Sequence, residues 1–468
     1  NEATLEAVRH DMERATDFSV RVRWAAQRGA VVVRGAWTTV TRRARRIGRI
    51  LSRASRRWYY RTEDAVLRLS VALGIRTHVH ETILEFADLP SPEELEGRVQ
   101  NLPPIYRRMF SPSPLKTREL MVGREKELLT MTEVVKRWRE GRAASVAVVG
   151  PEGSGKTSLI QCFAEELDDD VPSSVHMLSA RLREESDTVA AVSEWIGLSE
   201  PAADVDELVR VLKEGPRRIL VVEGGHHLLL RVIGGRRAAE TFLSLVLATR
   251  NHVLWVLTCR QYPWRRMDDL LRVSRCFTHL IDTPFHSAKE LRQAITLRHR
   301  RTGLELRFSH EGLHDRKIRK LLLAHPPDAP PVQEALQDRF FQDLFSASGG
   351  NIDAALFYWL LSIRRDEDAA EVTVQPLRRP DVRFLDDFDR LHRFTLAEIL
   401  NHGTLTPEEH GCIFRTDAAR SRVVLEYLCQ LHLIEAVTDA TDAERRYKVN
   451  PAFWHVLSSS LESRSLLY

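Results

Sequence analysis

Gly150-Pro151-Glu152-Gly153-Ser154-Gly155-Lys156-Thr157 follows the apolar run Ala144–Val149 and opens the amphipathic stretch Lys156–Glu166. Strand, glycine-rich turn and helix in that order, with GxxxxGK[ST] spacing, form a cradle for phosphates. The glycines let the backbone curl so that amide N–H groups point inward. The helix that follows presents its positive end to an anion. Lys156 is placed to reach the outer phosphate oxygens, and the Thr157 hydroxyl to ligate Mg²⁺. Gly150, Gly153, Ser154, Gly155 and Ser158 complete the candidate binding set.

Chemistry at such a loop also needs a carboxylate at the end of another strand, to hold the metal's shell. Arg218-Ile219-Leu220-Val221-Val222-Glu223 supplies one. Glu223 then stands at the metal side, and the next position, where a second carboxylate often orients the attacking water, is Gly224. With the register slipped by one, Glu223 becomes the base and Val222 leaves the metal position without a ligand. Either way one carboxylate stands where two are usual, which predicts slow hydrolysis.

Around this pair, short apolar runs alternate with helical patterns, the mark of a parallel α/β sheet. Strands are predicted at Ala144–Val149, Ser174–Ser179, Ile219–Val222, Val253–Thr258 and Phe277–Ile281, with helices such as Lys156–Glu166 and Val205–Glu214 between them. The organisation reads as a basic helical arm and linker (1–115), a P-loop α/β core (116–285), a helical lid (286–379) and a winged-helix domain (380–468). In the last part, three helical stretches precede Leu433–Val437, a polar turn and Tyr447–Val449.

These pieces resemble the AAA+ and STAND branch of P-loop ATPases, above all its origin-recognition-like subset, over roughly residues 120–460. Val122-Gly123-Arg124-Glu125 is similar to the segment that lies beside the adenine in that family, which adds Gly123 and Arg124 to the candidate nucleotide contacts. The strand Val253–Thr258 takes the place of the first sensor, whose polar end here is Thr258 or Arg260 where the family usually has Asn. Arg272 and Arg275 take the place of the arginine finger that a neighbouring subunit receives. Ser348-Gly349-Gly350-Asn351-Ile352-Asp353 resembles the lid motif, with an acid at 353 where many members carry a sensing arginine. The resemblance implies ATP and Mg²⁺ as cofactors, self-oligomerisation, a protein effector, and catalytic roles for Lys156, Glu223 and Arg275. It implies a nucleotide-driven switch. Two alternatives stand beside it: a nucleic-acid-binding ATPase of the replication-initiation or transposition kind, and a membrane-adjacent signalling or defence ATPase with its effector or anchor ahead of residue 1.

The near-neutral net charge of +4 conceals an uneven distribution. Residues 18–62 carry thirteen arginines and no Asp, Glu or Lys, which leaves −9 for the rest. Trp24, Trp37 and Trp58 are interleaved. A basic amphipathic stretch of this kind suits a nucleic-acid backbone, an anionic membrane face or an acidic partner. No window of 18 apolar residues reads as a membrane span. Five scattered cysteines without a CxxC pair give neither a disulfide framework nor a zinc site, and fit a reducing, cytoplasmic setting, the inner membrane face included. The first residue is Asn1 rather than Met, as in a piece of a longer protein. His226-His227 reads as a structural pair, Arg298-His299-Arg300-Arg301 as a solvated helix end. The mixed charge of the last domain favours protein packing over phosphate contacts.

Overall fold

The computed structural model describes residues 100, 102–111, 113–167, 170–313, 315–364, 371–377, 385, 388–438 and 445–467. The arginine-rich stretch 18–62 and the polar turn 439–444 lie outside them.

Five parallel strands build the central sheet: β1 (Ser145–Gly150), β2 (Ser173–Met177), β3 (Arg218–Glu223), β4 (Val253–Arg260) and β5 (His279–Asp282). Their order is β2-β3-β4-β1-β5. Burial explains the sequence pattern. β1 is buried at all six positions, because helices cover both faces, and it therefore reads as one apolar run rather than an alternation. The edge strand β2 alternates exposed and half-buried residues. The helices introduced with the sheet are α1 (Pro104–Met109), α2 (Glu125–Arg139), α3 (Lys156–Glu165), α4 (Glu185–Trp195), α5 (Val205–Glu214), α6 (Arg237–Thr249) and α7 (Gln261–Leu271). One apolar layer joins Phe242, Trp255 and Leu257 to α4 and α5. The other joins Leu128, Trp138 and Phe163 to Val146 and Val148.

Pairing aligns the strand ends that matter. Gly150 stands opposite Arg260, and Val222 opposite Leu257. The C-terminal ends of β1, β3 and β4 thus open on one edge, where α/β sheets place their ligands.

Beyond the sheet come α8 (Ala288–Arg300), β6 (Glu305–Phe308), α9 (Arg316–Ala324), α10 (Pro330–Ser348), α11 (Ile352–Ser362), β7 (Ile363–Arg364) and β8 (Glu371–Val374). This part was expected to be helical throughout, yet it holds a small sheet of order β6-β8-β7. The strands span two to four residues, too short for an alternation such as Glu371-Val372-Thr373-Val374 to stand out. Pro330 opens α10 at its first turn, where a missing N–H costs nothing. Within the stretch expected to be arm and linker, Pro104–Phe110 is docked. Tyr106 and Phe110 are fully buried, and Trp359 Nε1 donates to the Tyr106 hydroxyl at 2.9 Å.

The chain continues through α12 (Arg390–His402), α13 (Pro407–Phe414), α14 (Ala418–Gln430), the antiparallel pair β9 (Ile434–Thr438) and β10 (Arg445–Val449), and α15 (Pro451–Ser463). One continuous apolar cluster runs from Tyr106 through Trp359 to Leu457. No helix among the described residues is long and apolar enough to cross a membrane. All five cysteines are unpaired.

Candidate nucleotide site

The cleft at the sheet's C-terminal edge is lined by the loop 152–158, by Glu223, Thr258 and Arg260 from the strands, and by Arg298 and Asp353 from the helices beyond. Gly155 caps α3 in the left-handed conformation, so the helix's first amides face the cleft. Lys156 Nζ donates to the carbonyls of Gly150 at 2.9 Å and Pro151 at 2.6 Å. Burial, and next the Arg260 guanidinium, bring its pKa down to about 8. The Glu223 carboxyl is buried and its pKa is raised by desolvation, with the Thr157 hydroxyl and Lys156 opposing that rise. Thr157 and Glu223 are thus side by side, the donor set that a phosphate-bound Mg²⁺ would need.

The P-loop is braced from behind. Arg124 is buried and donates to the carbonyls of Ser154 (2.9 Å) and Pro284. Neither it nor Gly123 lines the cleft. The side chain of Ser154 turns to Thr283, at 3.2 Å, so that only its backbone faces a ligand. Ser158 Oγ accepts from Leu115 N at 3.0 Å, tying the incoming chain over the start of α3. Arg275 is exposed and outside the cleft.

Gly224 explains why only one carboxylate is present. Its φ is +85°, and a Cβ there would lie 2.8 Å from the Leu178 carbonyl oxygen. Its amide faces Thr258 Oγ1 at 3.4 Å. Arg260 is engaged by Glu152 at 2.8 Å and donates to the Gly403 carbonyl at 2.7 Å. Thr258 and Arg260, the polar residues at the end of β4, are therefore both taken up in joining loops.

The segment Ser348–Asp353 holds the P-loop through Asn351. Asn351 caps α11, accepting from the amides of Asp353 and Ala354, and its amide group donates to Glu152 O at 3.1 Å. Gly153 (φ +71°) leaves room for it, since a Cβ there would meet Asn351 Oδ1 at 2.0 Å. Asp353 is pushed up to about 6, burial being the largest cause and Glu152 the next.

His226 and His227 are buried with ring centroids 4.3 Å apart, and desolvation drives both pKa values well below the usual imidazole range. Among the described residues no three His, Cys, Asp or Glu side chains gather as a metal site. Arg298 and His299 overturn the expectation of a solvated helix end: both are buried, and only Arg300 and Arg301 are exposed. Burial follows because Leu291, Ala294, Ile295 and Arg298 share the inward stripe of α8. Sequence reasoning also missed Arg181, whose side chain is 1% exposed. Its Nε meets Glu409 Oε1 at 2.8 Å. No local signal joins two residues so far apart in the chain.

A glycine-rich loop between β1 and α3, a buried carboxylate beside its threonine and this sheet order define a P-loop nucleotide-binding protein. Residues 120–258, which lie in the α/β core, match the family model described as an AAA ATPase domain. No curated protein matches the chain. Several solved structures are similar. The Aeropyrum pernix Orc1 protein in complex with DNA has 17% identity and a TM-score of 0.40, over 75% of this chain and 96% of that one. The Aeropyrum pernix Orc2 protein in its ADPNP-ADP complexes has 13% identity and a TM-score of 0.38, over 77% and 98%. Cdc6p from Pyrobaculum aerophilum has 14% identity and a TM-score of 0.36, over 77% and 98%.

Proposed function

We propose that this chain is an ATP-dependent switch that turns over slowly and couples the occupancy of its cleft to a partner through the C-terminal helices. ATP with Mg²⁺ would be held by the P-loop amides, Lys156, Thr157 and Glu223. The observation that carries the reading is Gly224. Its left-handed backbone against the Leu178 carbonyl excludes a side chain where a second carboxylate would orient water. The C-terminal elements, read as a winged helix, would feel the nucleotide through Arg260, which reaches both Glu152 and Gly403. Arg275 would serve a neighbouring subunit. β5 runs parallel to β1 with His279 level with Val146, which places Arg275 toward the end of the sheet away from its own P-loop. Steady-state phosphate release measures the point: turnover well below one per second is expected, and tens per second, lost in Lys156→Ala, contradicts it. Gly224→Asp is expected not to speed turnover but to lower the melting temperature, because an L-residue there costs about 1–3 kcal/mol in backbone strain alone.

A second reading rests on residues 18–62, whose thirteen arginines favour a nucleic-acid backbone. Neutralising several phosphates makes affinity fall steeply with salt. Duplex DNA binding is expected to weaken by about a hundredfold or more between 50 and 200 mM salt, and binding that ignores salt removes this reading.

A further inference from the structure

We infer that His402, the last residue of α12, is an acid-operated latch between that helix and the loop after β3, closed while its ring is neutral and open once the ring becomes an imidazolium. Two hydrogen bonds fix the state of the ring. Nδ1 lies 2.9 Å from the Glu398 carbonyl, which can only accept, so Nδ1 carries the proton. The Arg231 amide can only donate, and it reaches Nε2 at 3.0 Å, so Nε2 presents its lone pair. An imidazolium in the same place would set N–H against N–H and break the bond that ties the loop to the helix. The ring is 1% exposed, so a proton reaches Nε2 only when the two parts separate. The surroundings disfavour a cation. On α12 itself the Glu398 carboxylate stands 3.4 Å from Nδ1, but that nitrogen already bears its proton, and the other carboxylate oxygen is held by Arg231. From the loop after β2, Arg181, itself paired with Glu409, donates to the His402 carbonyl at 3.5 Å. α7 brings Arg266. A Cβ at Gly403 would lie 2.8 Å from His226 Nε2 and 2.9 Å from Arg260 Nη1, so a second imidazole and a further guanidinium meet at this corner. Burial, and next Arg181, hold the His402 pKa well below the usual imidazole range, with Arg266 and Arg231 acting the same way and the Glu398 carbonyl opposing. The closed contact is therefore complete above the free-imidazole pKa of about 6.5 and weakens as pH falls below it, by up to about tenfold per unit. Neither bond involves the P-loop, so the latch does not depend on what the cleft binds.

Hydrogen exchange of the full chain, read as protection factors from pH 8 down to about pH 5, tests the latch. Protection of α12 and of the loop around Arg231 is expected to fall by about tenfold or more between pH 7.5 and 5.5, with its onset near pH 6.5, while the amides of β1 and β4 keep theirs. His402→Gln retains an N–H donor and an oxygen acceptor but cannot titrate. It is expected to lessen the fall by about tenfold, leaving only what His226 and His227 add from the same loop. A fall that begins only near pH 4–5, where carboxylates titrate, overturns the inference. An equal loss in β1 and β4 does so too, because that is acid unfolding of the whole sheet. So does a His402→Gln chain that follows the wild type. If that variant does not fold, the wild-type onset and its confinement to α12 and the loop decide.

Discussion

Lys156→Ala is expected to weaken ATP binding by roughly a hundredfold, about 3 kcal/mol, while leaving the melting temperature of the nucleotide-free chain nearly unchanged. The two effects separate because of where Lys156 spends its hydrogen bonds. Its ammonium donates to the Gly150 and Pro151 carbonyls of its own loop. The binding loss also predicts a pH dependence. In the free chain, burial and the Arg260 guanidinium hold the Lys156 pKa at about 8, with Glu152, Cys259 and Asp353 pulling the other way. A bound phosphate chain favours the ammonium and raises that pKa. Affinity is then flat below pH 8 and falls as pH rises through 8, by up to about tenfold per unit. In that upper range binding takes up a proton. Calorimetry in two buffers of different ionisation enthalpy reads the uptake directly. Binding that is unchanged between pH 7.5 and 9.5 contradicts the assignment of Lys156 to the phosphates.

The parts of this chain that were legible in the sequence are those whose signal is local. Gly150 to Thr157 carries loop, cap and helix start in eight consecutive residues, and the central strands β1, β3 and β4 are short apolar runs because helices bury both faces. Glu223 was legible by the same logic, as the first polar residue after Ile219–Val222. The residues that complete the site were not, and each for a physical reason. Arg298 sits in a run, Arg298-His299-Arg300-Arg301, whose composition suggests solvent. Only its phase on α8, seven residues after Leu291, places it on the buried stripe. Asn351 was read as part of a lid motif, but its bond to Glu152 O depends on a fold that brings residues 199 positions apart together. Gly224 looked like a missing catalytic group. The structure gives the cause, a left-handed turn pressed on the Leu178 carbonyl. The strands β6, β7 and β8 escaped because two to four residues cannot establish a period against a helical background.

Arg181→Ala should produce the largest loss of stability in the chain, about 3–5 kcal/mol, because it leaves the Glu409 carboxylate buried without its main partner. The side chains are 1% and 2% exposed. A guanidinium has five N–H donors, and here each finds an acceptor. Nε meets Glu409, NH1 the carbonyls of His226 and Leu229 (3.0 and 2.6 Å), and NH2 those of Thr404 and His402 (2.9 and 3.5 Å). Glu409 in turn caps α13, accepting from the Thr406 amide at 3.1 Å, and Arg446 approaches it at 3.7 Å. One ion pair therefore fastens the loop after β2 to α13, and the same guanidinium holds the turn after β3 through the His226 and Leu229 carbonyls. Lysine cannot replace this fork, so Arg181→Lys should recover little. A double-mutant cycle separates the pair from its surroundings. Arg181→Met and Glu409→Leu together should cost less than the sum of the two single changes, by about 2 kcal/mol or more, since the double variant buries no lone charge. The carbonyls that Arg181 served would still lack donors, so the double variant should not regain wild-type stability. A coupling near zero would mean that the backbone contacts, and not the charge pair, hold the two regions together. If the switch works as proposed, the double variant keeps its nucleotide affinity but shows a smaller difference in protease sensitivity between ATP- and ADP-bound chains, the remainder being carried by Arg260. The ion pair is a buried charge contact through which the loop after β2, whose Leu178 amide donates to the Glu223 carbonyl, holds α13, and with it gone the C-terminal helices register more weakly what Glu223 and Lys156 hold.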